Sequence, residues 1–355
     1  MAGCPHTGLG ALPGPSRWCD RLGMNPLPRL ILTRHLAEVG ASTGPLPAAV
    51  KAGSLVRIRQ GVYVGASAWA ELAAWQRYRL RIEAVAETAI LPVTFSLHSA
   101  ASVWGIPTIQ RGQPIHALTL FRGGGRSRAG IRRHLVEPGM LDAEIVDGLS
   151  VTSRQTTVLD IAATVPFAEA AVPLDYVLRP DPARGLPALT KTELLAAMAG
   201  RYSAAAERRV RSAVEFADFR SGSAGESYSR GLIHMAGFEA PILQYEVRTS
   251  VGRVAFTDFY WEGSRTVGEF DGIEKYLKPE YLKGRTPGQV VVDEKLREDR
   301  IRATGRNVVR WVWNDLWRGG LEGMLSCAGV PRRPRSSSGR GKGPGTQNRP
   351  GDTRK

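Results

Sequence analysis

Cysteine is scarce. Only Cys4, Cys19 and Cys327 occur in 355 residues, too few for a disulfide framework and without the spacing of a zinc site. A reduced, cytoplasmic setting is the expectation. No apolar run reaches the roughly 18 residues that a membrane-spanning helix needs. Met1–Gly23 lacks the apolar core of a secretory signal, and Met24, leading through Asn25–Pro26 into the first periodic segment, offers an alternative start. There is no internal repeat.

Acidic residues are also short, at 33 against 48 Lys and Arg, for a net charge of +15. The excess is uneven. Met24–Arg220 carries 23 basic and 16 acidic residues, Ser221–Gly320 has 15 and 14, and Pro331–Lys355 has eight and one. Such an excess favours a polyanionic partner, although a high-GC coding bias enriches arginine in the same way. From Arg332 onward the chain is Arg, Ser, Gly, Pro and Lys without periodicity, and it is expected to pack against nothing, as is Met1–Gly23.

Leu30, Ile31, Leu36 and Val39 predict a helix over Leu27–Val39, closed by Gly40. A short helix over Leu46–Ala52 follows, then a hairpin from Leu55–Arg59 and Val62–Val64 about Gln60–Gly61. Helix, turn, helix and hairpin outline a winged helix-turn-helix. Lys51 ends its second helix, and Arg57 and Arg59 alternate onto one face of the wing, where they would meet phosphates. The phrase Gly53, Leu55, Arg57, Gly61 and Tyr63 resembles the winged helix of AbiEi-family antitoxins. A weaker likeness runs on through Phe95–Pro107, covering about Leu27–Leu178. The resemblance implies DNA binding, autorepression and a cognate toxin as partner.

The middle of the chain reads as α+β support. A helix is expected over Trp69–Glu87, strands over Ile115–Leu120 and Leu149–Ser153, and a helix over Arg154–Thr164. Gly123–Gly125 lacks the lysine of a phosphate loop and reads as a hairpin tip. His98, His116 and His134 share no metal spacing and read as structural. Thr190-x-x-Glu193 is a capping box after a Pro/Arg-rich linker, Arg179–Pro187.

The candidate chemistry lies between Gly225 and Asp315. A helix led by Gly225-Glu226-Ser227 is followed by strands over Ile242–Val247, Val251–Trp261 and Arg265–Asp271, a charged helix over Asp293–Thr304, and a last strand over Asn307–Trp313. A two-residue loop at Gly263–Ser264 pairs Trp261 with Thr266 and, further in, Asp258 with Glu269. Asp271 falls on the same face. Cross-strand partners sit about 5 Å apart at Cβ, where like charges repel. Three carboxylates there require solvent or a cation, most simply Mg²⁺, with Mn²⁺ as a substitute.

The phrases "GESYSR", "FTDFYW", "GEFDG" and "KLREDRIRATGRNVVRWVWNDL", in that order over about Ala224–Leu316, resemble a Vsr-like domain of the PD-(D/E)XK restriction-endonuclease fold. The resemblance assigns Glu226, Asp258, Glu269 and Asp271 to the family's acids. The (D/E)-x-K lysine is missing, because Asp271 stands in its place. Lys275, or Lys295 on the charged helix, is left to supply an amine; Lys295 and Asp299 fit an i,i+4 helix pair equally well.

The expected fold class is therefore multidomain α+β or α/β: a winged helix-turn-helix over 24–66, an α+β region over 67–178, linker and helices over 179–223, and an αβββαβ endonuclease-like core over 224–320, between unstructured 1–23 and 331–355. The expected function is DNA binding with metal-dependent phosphodiester hydrolysis, in which Asp258, Glu269 and Asp271 hold Mg²⁺ and Glu226 and Lys275 assist. The alternative is a non-catalytic DNA-binding regulator, or type IV antitoxin, with a degenerate nuclease fold.

Overall fold

The computed structural model describes residues 27–109, 112–121, 130–248, 252, 254–272 and 286–334. The chain is mixed α and β, with separate sheets of three, five and four strands among the described residues.

The first sheet, ordered β1-β3-β2, is formed by β1 (Ile31–Leu32), β2 (Leu55–Arg59) and β3 (Val62–Gly65). Two short helices, α1 (Thr33–Glu38) and α2 (Pro45–Lys51), separate β1 from the hairpin. The expected helix from Leu27 therefore starts only at Thr33. Pro28 removes a backbone donor and biases Leu27 toward extended structure, so Ile31 and Leu32 pair with Tyr63 and Val62 instead. In β2 the register shifts between Arg57 and Arg59, with Ile58 as an extra residue. A bulge breaks strict alternation. Arg57 is exposed, whereas Arg59 is half-buried against a groove that Val85 and Thr88 also line, so the two arginines do not share a solvent face as expected.

The middle region begins with α3 (Ala66–Glu71) and α4 (Ala74–Thr88), not one continuous helix. Leu72 and Ala73 are extended, and the Gln76 side chain accepts from Ala73 N at 2.9 Å to restart the helix. Next come β4 (Thr94–Phe95), α5 (Leu97–Trp104), β5 (Ile115–Thr119), β6 (Ile131–Leu135), β7 (Ala143–Val146) and β8 (Leu149–Thr152), in a sheet ordered β6-β5-β4-β8-β7. Strands β5 and β6 run parallel; Gly123–Gly125, expected as a hairpin tip, lies outside the described residues. Helices α6 (Arg154–Thr164), α7 (Phe167–Val177), α8 (Lys191–Ala197) and α9 (Ala204–Phe216) follow. Leu194, Met198, Val210 and Val214 join the same core as Phe95, Leu159 and Leu174. The stretch expected as linker and helices thus packs into the middle region. The Thr190 capping box is formed, with Glu193 N donating to Thr190 Oγ1 at 3.1 Å and Thr190 N to Glu193 Oε2 at 2.6 Å.

The last region runs α10 (Ala224–Met235), β9 (Ile242–Arg248), β10 (Val254–Trp261), β11 (Thr266–Phe270), α11 (Pro287–Ala303), β12 (Asn307–Trp311), α12 (Trp313–Trp317) and α13 (Leu321–Cys327). The sheet order is β12-β11-β10-β9, with β11 and β12 parallel. One face carries Phe259, Trp261, Phe270 and Trp311 in a core with Ile233, Leu316 and Leu325; the other carries Tyr260, Val267 and Val308 against Ile301 of α11. Pro331–Arg333 is not loose, contrary to expectation. Glu239 N donates to Pro331 O at 2.8 Å, Arg333 N to Gly237 O at 2.9 Å, and the Arg332 guanidinium lies 4.3 Å from the Phe238 ring centre. The last described residue is Pro334.

Helices α7 and α10 join the middle and last regions. Asp175 Oδ1 accepts from Arg230 Nη2 at 2.6 Å and from Asp218 N at 2.7 Å, and both side chains are buried. Arg230 also donates to Phe216 O at 2.9 Å and stacks over the Phe216 ring at 3.8 Å. A Cβ on Gly231 would come within 2.5 Å of Ala168 Cα, so only glycine lets the two helices approach this closely. Removing one member of a buried pair strands the other charge. Asp175→Ala should therefore cost about 3–5 kcal/mol in urea unfolding, and Asp175→Leu with Arg230→Met should recover most of it. A double variant that loses as much as the two single variants added together would show that the pair is not coupled.

Candidate functional site

The turn between β10 and β11 has Gly263–Ser264 at its centre, with Arg265 N donating to Glu262 O at 3.1 Å. Arg265 takes a left-handed φ of +51°. The observed pairs are Trp261–Thr266, Tyr260–Val267 and Phe259–Gly268, the register expected from the sequence. The paired residues end there; continued by one step, the same register would set Asp258 opposite Glu269, and Asp258 Oδ2 accepts from Phe270 N at 2.8 Å. By strand alternation Asp258, Glu269 and Arg310 share the α11 face with Tyr260, Val267 and Val308.

That face is compensated from within. Glu269, 7% exposed, has Oε1 2.8 Å from Arg297 of α11 and Oε2 3.0 Å from Arg310 of β12. Arg310 also lies 3.8 Å from Asp271, 3.2 Å from Glu294 and 3.2 Å from Glu298. The Arg297–Glu269 contact is one of charge rather than a directed hydrogen bond, since Glu269 Oε1 receives none of acceptable geometry, whereas Arg310 Nη2 donates to Glu294 Oε2. Burial works against the Arg310 charge, but Glu269, Glu298, Glu294 and Asp271 outweigh it and hold the guanidinium charged more firmly than usual.

Glu226 lies elsewhere. Its helix α10 packs on the opposite face, where a Cβ on Gly225 would overlap the Phe270 ring at 2.0 Å. Glu226 is 8% exposed; its Oε2 accepts from Gly222 N at 2.7 Å and from Gln244 Nε2 at 3.1 Å, while Ser223 Oγ accepts from Glu226 N at 3.2 Å. Ser223 caps the helix, and the Glu226 carboxylate ties Gly222, just before Ser223, to Gln244 of β9. Gln244, which nothing in the sequence singled out, has a left-handed φ of +50° where the β9–β10 ladder skips the position opposite Asp258.

Lys275 lies outside the described residues. Lys295 is exposed on α11, and Arg297 is the side chain of that helix that reaches Glu269. Lys51 and Arg57 are exposed in the N-terminal unit. Mg²⁺ binds carboxylate oxygens at about 2.1 Å, whereas both Glu269 oxygens stand within 3.0 Å of guanidinium nitrogens. A divalent ion does not fit beside both arginines. Among the described residues no group of three His, Cys, Asp or Glu side chains is arranged to hold a metal.

A second polar cluster joins residues that sequence spacing had left apart. His116 Nδ1 and His134 Nε2 are 2.9 Å apart, and the His98 ring centre is 5.5 Å from that of His116. They meet because α5 lies on the sheet that brings β5 beside β6. Burial lowers His98 to about 4; burial, then His98, His134 and Arg132, lower His116 to about 3. Burial and Arg132 lower His134 as well.

The units together define a mixed α+β chain. No family model matches it. It is similar to two uncharacterized proteins, MT2308 and Rv2248, from strains CDC 1551 / Oshkosh and ATCC 25618 / H37Rv of Mycobacterium tuberculosis; each is 28% identical over 247 residues, 67% of this chain and 81% of the relative. The crystal structure of the RV2827C protein from the same species aligns at a TM-score of 0.34 and 15% identity, over 65% of this chain and 88% of that one, a likeness too distant to carry an argument. No helix among the described residues is long and apolar enough to cross a membrane.

Two outcomes follow from these clusters. Arg310→Met should lower stability by about 2 kcal/mol, below the range for fully buried pairs because Arg310 keeps 24% of its side chain exposed. The variant, but not the parent, should then gain melting temperature with Mg²⁺; a parent stabilised equally by Mg²⁺ would show that the arginines do not exclude the ion. The histidines are lowered on folding, so the unfolded chain binds more protons below its ordinary histidine pKa of about 6.5. Stability should fall as pH drops from about 7 toward 4. His98 alone contributes about 2 kcal/mol of that loss at pH 5, at about 1.4 kcal/mol per pH unit. Urea midpoints at pH 7 and pH 5 check this, and His98→Phe should flatten the difference.

Proposed function

We propose that the chain is a DNA-binding protein that does not cleave its ligand, a regulator of the antitoxin kind implied by its N-terminal resemblance. On this reading α1, α2 and the β2–β3 hairpin form a winged helix, with Lys51 and Arg57 as phosphate contacts and Arg59 in a packing role. The last region is an endonuclease-like fold turned to a binding or partner role. The observation that carries the non-cleaving reading is the engagement of both Glu269 oxygens by Arg297 and Arg310, which occupies the principal acid that a metal would need.

A metal-dependent endonuclease is the second reading, favoured by the β10–β11 register, which one step past Phe259–Gly268 would set Asp258 opposite Glu269. One pair of experiments separates them. Supercoiled plasmid incubated with Mg²⁺ or Mn²⁺ should stay supercoiled; metal-dependent nicking that disappears in Asp258→Asn would establish the endonuclease. In titrations of duplex DNA at several salt concentrations, Lys51→Ala with Arg57→Ala should weaken binding on all sequences and reduce the salt slope by about two. An unchanged slope would remove the winged helix as the contact.

A further inference from the structure

A cavity of about 620 Å³ opens in the middle region between the N-terminus of α5, the strands β6 and β8, and the chain around Arg201. Its volume suits one small molecule. Two of its polar atoms, Ser96 Oγ and Arg201 Nε, have no hydrogen-bond partner. Ser96 is 1% exposed, lines the cavity, and its Oγ makes no hydrogen bond. As N-cap of α5 it would ordinarily accept from a first-turn backbone N–H, but it does not. Arg201 lines the same cavity with its Nε buried and without an acceptor. The neighbouring hydroxyls are engaged: Thr152 Oγ1 meets Thr157 Oγ1 at 2.7 Å, and Thr156 Oγ1 donates to Asp142 at 2.8 Å.

The backbone is strained at the same point. Leu97, buried and directly after Ser96, has a left-handed φ of +49°. Strain of this kind costs of the order of 1–3 kcal/mol and clusters where a site is being shaped. Two acids also line the cavity. Asp160 accepts from Tyr202 at 2.7 Å, and Glu137 is exposed. Burial raises the Asp160 carboxyl above its usual range, against the lowering effect of Tyr202 and of Arg201 beside it. Leu118, Val136 and Met140 give the remaining wall an apolar character.

We propose that this cavity binds a small organic anion, its oxyanion held by Ser96 Oγ, Arg201 and the N-terminus of α5 and its apolar body lying against Leu118, Val136 and Met140. A helix N-terminus favours negative charge, and the spare hydroxyl and guanidinium donors supply the hydrogen bonds. Carboxylates and phosphate monoesters share this chemistry. The site is independent of the DNA-binding proposal and is tested without DNA.

Thermal unfolding of the full chain should be followed with benzoate, phenyl phosphate and inorganic phosphate, each against sodium chloride at equal ionic strength. One of the two aromatic anions should raise the melting temperature by several degrees with saturation at millimolar concentration, more strongly than inorganic phosphate. Whether benzoate or phenyl phosphate does so identifies the head group. Ser96→Ala removes no intramolecular hydrogen bond, so it should fold as the parent does and bind at least tenfold more weakly. Arg201→Gln should bind more weakly still; if it fails to fold, Ser96→Ala alone decides. No shift beyond the chloride control with either aromatic anion, or unchanged affinity in Ser96→Ala, overturns the proposal.

Discussion

The Asp175–Arg230 pair is the constraint on which the rest of the structure depends. Neither charge is tolerable in the interior alone, so α7 and α10 are held at one spacing and one rotation. Gly231 sets how near the helices come, and Asp218 N, in the chain leaving α9, gives Asp175 Oδ1 a second donor. Helix α10 then carries this geometry into the last sheet. Its Gly225 receives the Phe270 ring, and Phe270 is flanked in β11 and the residue after it by Glu269 and Asp271. Where the acids stand is thus tied, through one helix, to a buried ion pair in the middle of the chain.

The acids on the α11 face pose an electrostatic problem that has more than one physical solution. Two like charges 4 Å apart repel by about 4 kcal/mol at an effective dielectric of 20. The sequence pointed to a divalent cation as the counter-charge, because carboxylates at this spacing suit one. The folded chain instead brings Arg310 between Glu269, Asp271, Glu294 and Glu298, and adds Arg297 from α11. Guanidinium suits this role, being always charged and weakly hydrated. Compensation supplied by the chain itself is present at every metal concentration.

Much of this was legible in the residues where a short-range rule decides the outcome. The Gly263–Ser264 turn fixed the β10–β11 register, and Thr190-x-x-Glu193 marked the start of α8. The order helix, three strands, helix, strand in the last region could be read from periodicity. What escaped depends on residues distant in sequence. Nothing local indicates that β5 and β6 are parallel, or that His98, His116 and His134 converge. Arg59 turned inward because of a single extra residue at Ile58. Pro331–Arg333 looked like tail by composition, yet pairs with Gly237 and Glu239 and covers Phe238. Glu226, grouped by resemblance with the other acids, accepts from Gly222 N and from Gln244, a partner that no local spacing announces.

The charge balance of the last region also bears on where DNA would be held. Arg297, Arg302 and Arg310 bring three positive charges to a group containing Glu269, Asp271, Glu294 and Glu298, which leaves one negative charge in excess. A phosphate backbone gains affinity by releasing counterions to cationic side chains, and a net-negative patch works against it. The arginines of this group are taken up by its own carboxylates, so it offers a phosphate backbone little spare positive charge. On the proposed reading the polyanion is therefore held by exposed Lys51 and Arg57 in the N-terminal unit. The last region contributes most where its partner is cationic or apolar rather than another nucleic-acid strand.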